Sequence, residues 1–535
     1  MTLFVLALFL SLGTSNHLLA AQPGPSSTHW WRDAVFYEIF VRSFYDSDGD
    51  GIGDLQGIIE KLDYLNDGNP HTNDDLGITG VWLMPIMESP SYHGYDCIDY
   101  EAVDREYGSK TTLATLMNEA HRRGIRVIMD LMLNHTGSDH PWFVSAKRSP
   151  TDPFRDWYLW SGVHPGYQGP WGQPVWHSNG DWFFYGIFWS GMPDLNFRNE
   201  QVTTEIKRIS AQWLVETGLD GFRLDAIRHL IEDGSQMSDT DATHQWLAGY
   251  QQFLKSQKPS AMTIGEIWTD SMDVAPYVNQ GEVDLAFEFS QADAILASIN
   301  SNRPDALVSQ LQRQQQLYHS PDFGSFLTNH DQNRLFNQLG KDLAKNQLAA
   351  GLLLTLPGVP FLYYGEEIGL TGEKPDPEIR TPLPWNGTLH GGFTQGIPWK
   401  SLVPGYEEKN IELQQKDEES LLSRYRQLIH LRNRHGALRR GDLSLLSANQ
   451  GAILAFAREW TAAQSTQTLV IVANFSYREL SDVDVTLPAH SAKSWTRLEG
   501  TTPANLEAPS GTLRIPQLAS RQLMVFRPSS LPVVE

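Results

Sequence analysis

The chain has 535 residues, which suits one large domain with one or two smaller ones. Its 41% hydrophobic and 19% charged content excludes a disordered chain. The formal net charge of -22 argues against nucleic acid and anionic membrane surfaces and favours a neutral partner. Cys97 is the single cysteine, so no disulfide can form within the chain.

The first stretch, "MTLFVLALFLSLGTSNHLLAA", carries no charged side chain; its only cation is the terminal amine. The apolar run Leu3 to Leu12 is too short to span a bilayer. It fits the central region of a signal peptide, with Ala20 and Ala21 as small residues for cleavage. Residues 1–21 are therefore expected to direct export, giving a secreted or periplasmic protein with no membrane span.

From Ala34 short apolar runs alternate with helical stretches. "AVFYEIFVRSF" reads as a first strand and is followed by "DSDGDGIGD", Asp46 to Asp54. Asp46, Asp48, Asp50 and Asp54 around three glycines would repel without a cation. Oxygen ligands at alternate positions, with Gly51 allowing a sharp turn, suit Ca²⁺. The loop is no EF-hand, because Gly57 stands where the bidentate Glu would be. The competing reading is a polar turn capping the helix "LQGIIEKLDYL". Next come the strand "ITGVWLMPI", the helix "TLATLMNEAHRRG" and the strand "IRVIMDLML".

The next helix starts only near Glu200, and a structureless loop of that length does not fit a compact domain. Residues 134–196 are expected to form an inserted subdomain. It holds Trp142, Trp157, Trp160, Trp171, Trp176, Trp182 and Trp189, of which most should be core and one or two should line a cleft. The helix "TTEIKRISAQWLVETG" then leads to the strands "GLDGFRLDA", "AMTIGEIW", "VDLAFEFS", "SFLTNH" and "VPFLYYGEE". Repeated strand–helix units imply a parallel sheet, and eight strands imply a closed (β/α)8 barrel over 29–133 and 197–440. After "LLSRYRQLIHLRNRHGAL" the texture changes to strands and polar turns, so 441–535 is expected to be a separate all-β sandwich domain.

In such a barrel the working residues stand at the C-terminal ends of the strands. Asp130, Asn134 and His135 follow the third strand. Arg223, Asp225 and His229 follow the fourth, Glu266 the fifth, and Asn329, His330 and Asp331 the seventh. Each alone could be a cap, a core histidine or an ion pair. Together they put carboxylates in one cleft, as glycoside hydrolysis requires.

The segments "DLMLNHT" (130–136), "GFRLDAIRH" (221–229), "GEIW" (265–268) and "FLTNHD" (326–331) resemble, in order, the four signature segments of the α-amylase family of glycoside hydrolases, family 13. "MPDLNF" (192–197), "SYHGYD" (91–96) and "PFLYYGEEIG" (360–369) fit the same resemblance, and "MPDLN" places the chain between the oligo-1,6-glucosidase and neopullulanase branches. The resemblance implies that Asp225 is the nucleophile, kept ionised by Arg223. It implies that Glu266 is the general acid and base and Asp331 the third carboxylate. His135 and His330 would bond sugar hydroxyls, Tyr95 would stack on the sugar, and His93 would join the substrate contacts. It also adds the Ile52 carbonyl to the Ca²⁺ loop. A second Ca²⁺ site would use Asn134 and the His229 carbonyl, with a carboxylate from the insertion that the sequence does not place.

The implied activity is cleavage of α-1,4-glucosidic bonds in starch, maltodextrins and maltooligosaccharides with retention of configuration. The alternatives are an exo-acting α-glucosidase, a transglycosylase or a non-catalytic barrel subunit; the last has a membrane helix and lacks these carboxylates. In exo-acting relatives an Asp–Arg pair walls the cleft, and Asp96 and Arg380 are expected to meet in that way. Arg228 and His229 instead resemble polysaccharide-cutting members, with Arg228 on the substrate.

Overall fold

The computed structural model describes residues 28–529 except 463–464, 489–490, 499–504 and 509, so the expected leader lies outside the described residues. Eight parallel strands close into a barrel: β1 (Phe36–Ile39), β2 (Gly80–Leu83), β3 (Arg126–Leu131), β4 (Gly221–Leu224), β5 (Met262–Gly265), β6 (Leu285–Phe287), β7 (Phe323–Ser325) and β8 (Val359–Tyr363). Each pairs with its neighbours in sequence, and β1 with β8 closes the ring. No helix among the described residues is long and apolar enough to cross a membrane.

Strand alternation sorts the side chains. Phe36, Trp82, Ile128, Ile264 and Phe361 form one cluster inside the barrel, and Phe36 stacks on Phe361 at 4.4 Å. Their neighbours Tyr37, Val81, Val127, Met129 and Leu362 belong to a second cluster shared with the surrounding helices. Both faces of each strand are thus buried, which explains the near-continuous apolar runs. Glu38 and Asp130 keep the parity of Phe36 and Ile128, and Arg223 has the opposite parity to the outward Phe222. All three charges therefore point inward near the strand ends. Register places Arg223 beside both Asp130 and Ile264.

The seventh strand lies earlier than expected, ending at Ser325 instead of continuing through "FLTNH". Residues 326–331 leave the pleat and form a turn in which Asp331 N–H donates to Asn329 Oδ1 at 3.0 Å. Leaving the strand frees both His330 and Asp331 to face the mouth, which strict alternation would forbid.

The insertion after β3 has a short helix, Pro141–Ala146, and a three-stranded antiparallel sheet of Trp160–Ser161, Trp182–Tyr185 and Trp176–Asn179. Its two ends are zipped together: Leu195 N–H donates to Asn134 O at 2.9 Å and Thr136 N–H to Pro193 O at 3.1 Å. Trp142, Trp157, Trp160 and Trp176 are buried or half-buried, whereas Trp171, Trp182 and Trp189 are exposed.

The C-terminal domain has a six-stranded antiparallel sheet facing a two-stranded one, Leu480–Thr486 with Thr512–Leu518. In Ile453–Ala462, Leu454 and Phe456 join the barrel cluster while Ile453, Ala455 and Ala457 pack with Val483, Val485 and Leu513. One face of the large sheet thus docks on the barrel and the other closes the sandwich. Buried Arg432 and Arg458 seal the junction. They donate to Leu354 O at 3.0 Å and Thr355 O at 2.6 Å, carbonyls that end the helix Leu343–Thr355 and have no partner within it.

Candidate active site

Arg223 is the hub of the barrel mouth. Its Nη1 donates to Asp130 Oδ1 at 2.7 Å and to Asp225 Oδ1 at 2.5 Å, and Nη2 lies 3.0 Å from Glu266 Oε2. A planar fork with fixed charge suits this, since a single ammonium could not meet three carboxylates in defined directions. Burial raises the Asp225 carboxyl, Arg223 opposes that rise, and Asp130 reinforces it.

Ala226, directly after Asp225, has φ +49°, a left-handed conformation unusual for a residue with a side chain. That turn aims its N–H at Glu266 Oε2, 3.1 Å away. Oε2 is thus held by Arg223 and Ala226, while Oε1 has no hydrogen-bond partner among the described residues. Burial pushes Glu266 up from 4.5 to about 7; Arg223 opposes this and the Asp225 and Asp331 charges add to it. A carboxyl that keeps its proton near neutrality, with one free oxygen, is built to donate.

Asp331 is the opposite case. Burial would raise its carboxyl, but His330 and Arg380 hold it well below the usual range. His330 Nε2 is 3.2 Å from Asp331 Oδ2, and Arg380 Nη2 donates to Asp331 Oδ1 at 2.9 Å. Burial in turn would lower His330, but Asp331 and Glu38 push it up to about 10. Its Nδ1 donates to Glu38 Oε1 at 2.6 Å. The imidazolium is thus a structural cation between two carboxylates.

Tyr95 lies flat on His330 (ring centroids 5.5 Å, 13°), and its hydroxyl meets His330 Nε2 at 2.7 Å and donates to Asp130 Oδ2 at 3.2 Å. Trp82 Nε1 donates to the same Asp130 oxygen at 3.0 Å. His135 Nε2 donates to the Tyr95 carbonyl at 3.1 Å, and burial lowers this imidazole to about 4, so it is neutral. His93 Nδ1 accepts from Tyr95 N–H at 3.1 Å. The structure therefore gathers Tyr95, His93, His135, Arg223, Asp225, Glu266, His330, Asp331 and Arg380 at one mouth.

Two expected roles are corrected. Asp96 and Arg380 do not pair. Asp96 accepts from the hydroxyls of Ser89 (2.7 Å) and Ser91, with His93 beside it at 3.9 Å. Arg380 is spent on Asp331, on the His330 carbonyl (3.0 Å) and on Asp376 (3.4 Å). What faces Arg380 is the ring of Tyr92 at 5.9 Å, itself stacked on Trp399. Arg228 is also committed elsewhere: it pairs with Asp239 and donates to Trp268 O at 3.0 Å, bracing the loop behind Glu266. Sequence reasoning missed Glu38, Trp82 and Tyr92. The one available signal was Glu38, a charge at an inward position of a buried strand.

The acidic loop gathers Asp46, Asp48 and Asp50, whose carboxylate oxygens lie within 4.8 Å of one another. Asp46 accepts from Gly49 N–H (2.7 Å), Gly51 N–H (2.8 Å) and Thr394. Gly51 has φ +96°, and a Cβ there would come within 1.9 Å of Ile397 O, so only glycine fits. Asp54 stands apart from this group. It caps the helix Leu55–Glu60 by accepting from Gly57 N–H at 2.7 Å and takes Ser47 N–H at 2.8 Å. Ile52 donates its N–H to Asp50 at 2.8 Å. Burial raises the Asp50 carboxyl, the Ile52 N–H lowers it, and Asp48 and Asp46 raise it further.

A second polar space lies at the base of the insertion. Asn134 Oδ1 and Nδ2 and Asp194 Oδ2 are buried without a hydrogen-bond partner among the described residues. Asp194 is a buried carboxylate of the insertion, its other oxygen accepting from Ile187 N–H at 3.1 Å. Burial and the neighbouring Glu232 push it well above the usual range. Orphaned oxygens of this kind fit a hard cation. His229 follows the neighbouring strand β4, in the turn Ile227–His229, its ring held by Met237 O at 2.8 Å.

A carboxyl that keeps its proton near neutrality, facing Asp225 and an Asp331 held low by His330 and Arg380, at the C-terminal mouth of a (β/α)8 barrel, is the arrangement of a glycoside hydrolase. Residues 38–441 match the family described as alpha amylase, catalytic domain. Alpha-amylase 3 of Dictyoglomus thermophilum is 39% identical over 435 residues, covering 80% of this chain and 83% of that protein. An oligo-1,6-glucosidase of Halalkalibacterium halodurans is 31% identical over 537 residues, covering 86% and 92%. The crystal structure of alpha-amylase from H. orenii superposes with a TM-score of 0.83 at 38% identity, covering 93% of this chain and 99% of the other. The chain belongs to the α-amylase family of glycoside hydrolases.

Proposed function

We propose that the protein is an endo-acting α-amylase that hydrolyses α-1,4-glucosidic bonds with retention of configuration. One observation carries the endo assignment: Arg380 lies over Tyr92 and holds Asp331, while Asp96 is satisfied by two serines. No Asp96–Arg380 pair walls the cleft on that side, so chains can run past the site. In the first step Asp225 attacks the anomeric carbon as the C–O bond breaks, and the free Oε1 of Glu266 gives its proton to the leaving oxygen. In the second, Glu266 takes a proton from water, which attacks the same carbon and releases Asp225. Sharing one guanidinium keeps the two carboxylates close, as double displacement requires. Asp331 stays ionised and favours the positive charge that develops on the sugar.

The three-carboxylate loop and the Asn134–Asp194 space would each hold Ca²⁺, the latter with the His229 carbonyl. The ions would supply charge neutralisation and cross-linking, not a reaction step. The leader-like residues 1–21 favour an exported enzyme that meets glucan outside the cytoplasm.

The oligo-1,6-glucosidase relatives support an exo-acting second reading. A maltoheptaoside blocked at its non-reducing end separates the two. The expected result is cleavage at a rate within about twofold of the unblocked chain. Failure to cut the blocked chain, with the unblocked one cut well, would establish an exo pocket.

A further inference from the structure

Trp171 is 62% exposed, yet it is held rigidly. It occupies the third position of a turn in which Gly172 N–H donates to Gly169 O at 2.9 Å, with Pro170 before it. Gly172 adopts φ +78°. Gly169 N–H donates to Gln173 O at 2.8 Å. The Gln173 side chain accepts from Trp171 N–H at 3.0 Å and donates to Ile187 O at 2.8 Å. The indole therefore rests on a preorganised turn and would lose little conformational entropy on meeting a ligand.

Its place is equally defined. One face stacks on Phe188 (5.8 Å, 21°), and its ring meets His229 edge-on at 5.9 Å. Phe188 in turn packs edge-on against His135 at 5.4 Å. His229 lies on the 3₁₀ turn Ile227–His229, just past Asp225. Trp171 thus stands above the β4 end of the mouth, adjacent to β5, which carries Glu266. Asp331 and Arg380 belong to the β7 and β8 ends. Because Glu266 must face the departing oxygen, the β4–β5 side is where the leaving portion of the chain lies. A flat, half-open indole on a neutral, aromatic rim matches the C–H face of a sugar ring.

We propose that Trp171 is a sugar-binding platform for the leaving-group portion of an α-glucan, and so a determinant of chain-length preference; this rests on the α-glucan reading above. Trp171→Ala and Trp171→Phe would be assayed on maltohexaose and on α-maltosyl fluoride, whose leaving group carries no sugar. For Trp171→Ala the ratio of kcat/KM between hexaose and fluoride is expected to fall about five- to tenfold, the size of one lost aromatic contact. Trp171→Phe should retain most of the ratio. End-labelled maltohexaose should show cleavage moving away from bonds that leave several sugars on the departing side. An unchanged ratio overturns the proposal. So does an equal fall on both substrates, which would make Trp171 a purely structural residue. Wild type inactive on both substrates would remove the α-glucan reading itself, a result distinct from either.

Discussion

Replacing Glu266 by Gln tests the acid directly, because the shape is kept and the proton is lost. Glu266 stands near 7 in place of 4.5. At pH 6 such a group is about 90% protonated, against about 3% for an unshifted glutamate. The rise comes from burial and from the Asp225 and Asp331 charges, working against Arg223. General acid catalysis is worth about 100- to 10,000-fold. Glu266→Gln should lose that much on maltoheptaose, whose leaving alkoxide needs a proton. On α-maltosyl fluoride the departing fluoride needs far less help, so release of the first fluoride should fall by less than about tenfold. Stopped-flow release of fluoride, followed across pH, reads both effects. The wild-type kcat/KM on maltoheptaose should decline above about pH 7, the alkaline limb set by Glu266, and that limb should be absent for the variant on the fluoride. Equal losses on both substrates would show that Glu266 is not the acid. A wild-type limb near pH 4.5 would show that burial does not raise it.

Glu366, buried behind β8, accepts from Tyr425 OH at 2.7 Å and is pushed by burial from 4.5 to about 8. Below pH 4.5 both folded and unfolded chains keep this proton; between 4.5 and about 8 only the unfolded chain loses it, so stability falls as pH rises through that window, by roughly 3 kcal/mol at pH 7. Glu366→Gln should therefore raise Tm at pH 7.5 much more than at pH 5, and an equal change at both pH values would refute the assignment. For calcium, a chelator should lower the wild-type Tm by several degrees, since an ion at a hundredfold excess over Kd adds about 2.7 kcal/mol. Asp48→Asn with Asp50→Asn, and separately Asp194→Asn, should each remove part of that response. A wild-type Tm indifferent to chelator would exclude both sites, and variants that respond like the wild type would exclude the site they alter.

The sequence by itself determined the barrel and which carboxylates stand at its strand ends. Strand alternation and the strand–helix period are local, and so are the pairs that matter most: Arg223 with Asp225 is a spacing of two along one strand, and the inward parity of Asp130 can be counted from Ile128. The C-terminal sheet was legible for the same reason. What only the tertiary structure decided are the partners of long, flexible charged side chains. Arg380 meets acceptors on two loops, Asp331 and the His330 carbonyl after β7 and Asp376 after β8, and none of them is Asp96, the partner expected from the sequence. Arg228 turned away from the cleft because Asp239 and the Trp268 carbonyl met it first. Glu38 reaches His330 across the barrel closure, and Asp194 reaches Asn134 only because the two ends of the insertion zip together. Asp54 has the composition of a metal ligand, but the helix that begins beside it needed a cap, and its two oxygens were nearer to Gly57 and Ser47. Seven tryptophans looked alike in the chain, and only the turn at Gly169–Gly172 left Trp171 facing solvent beside His229.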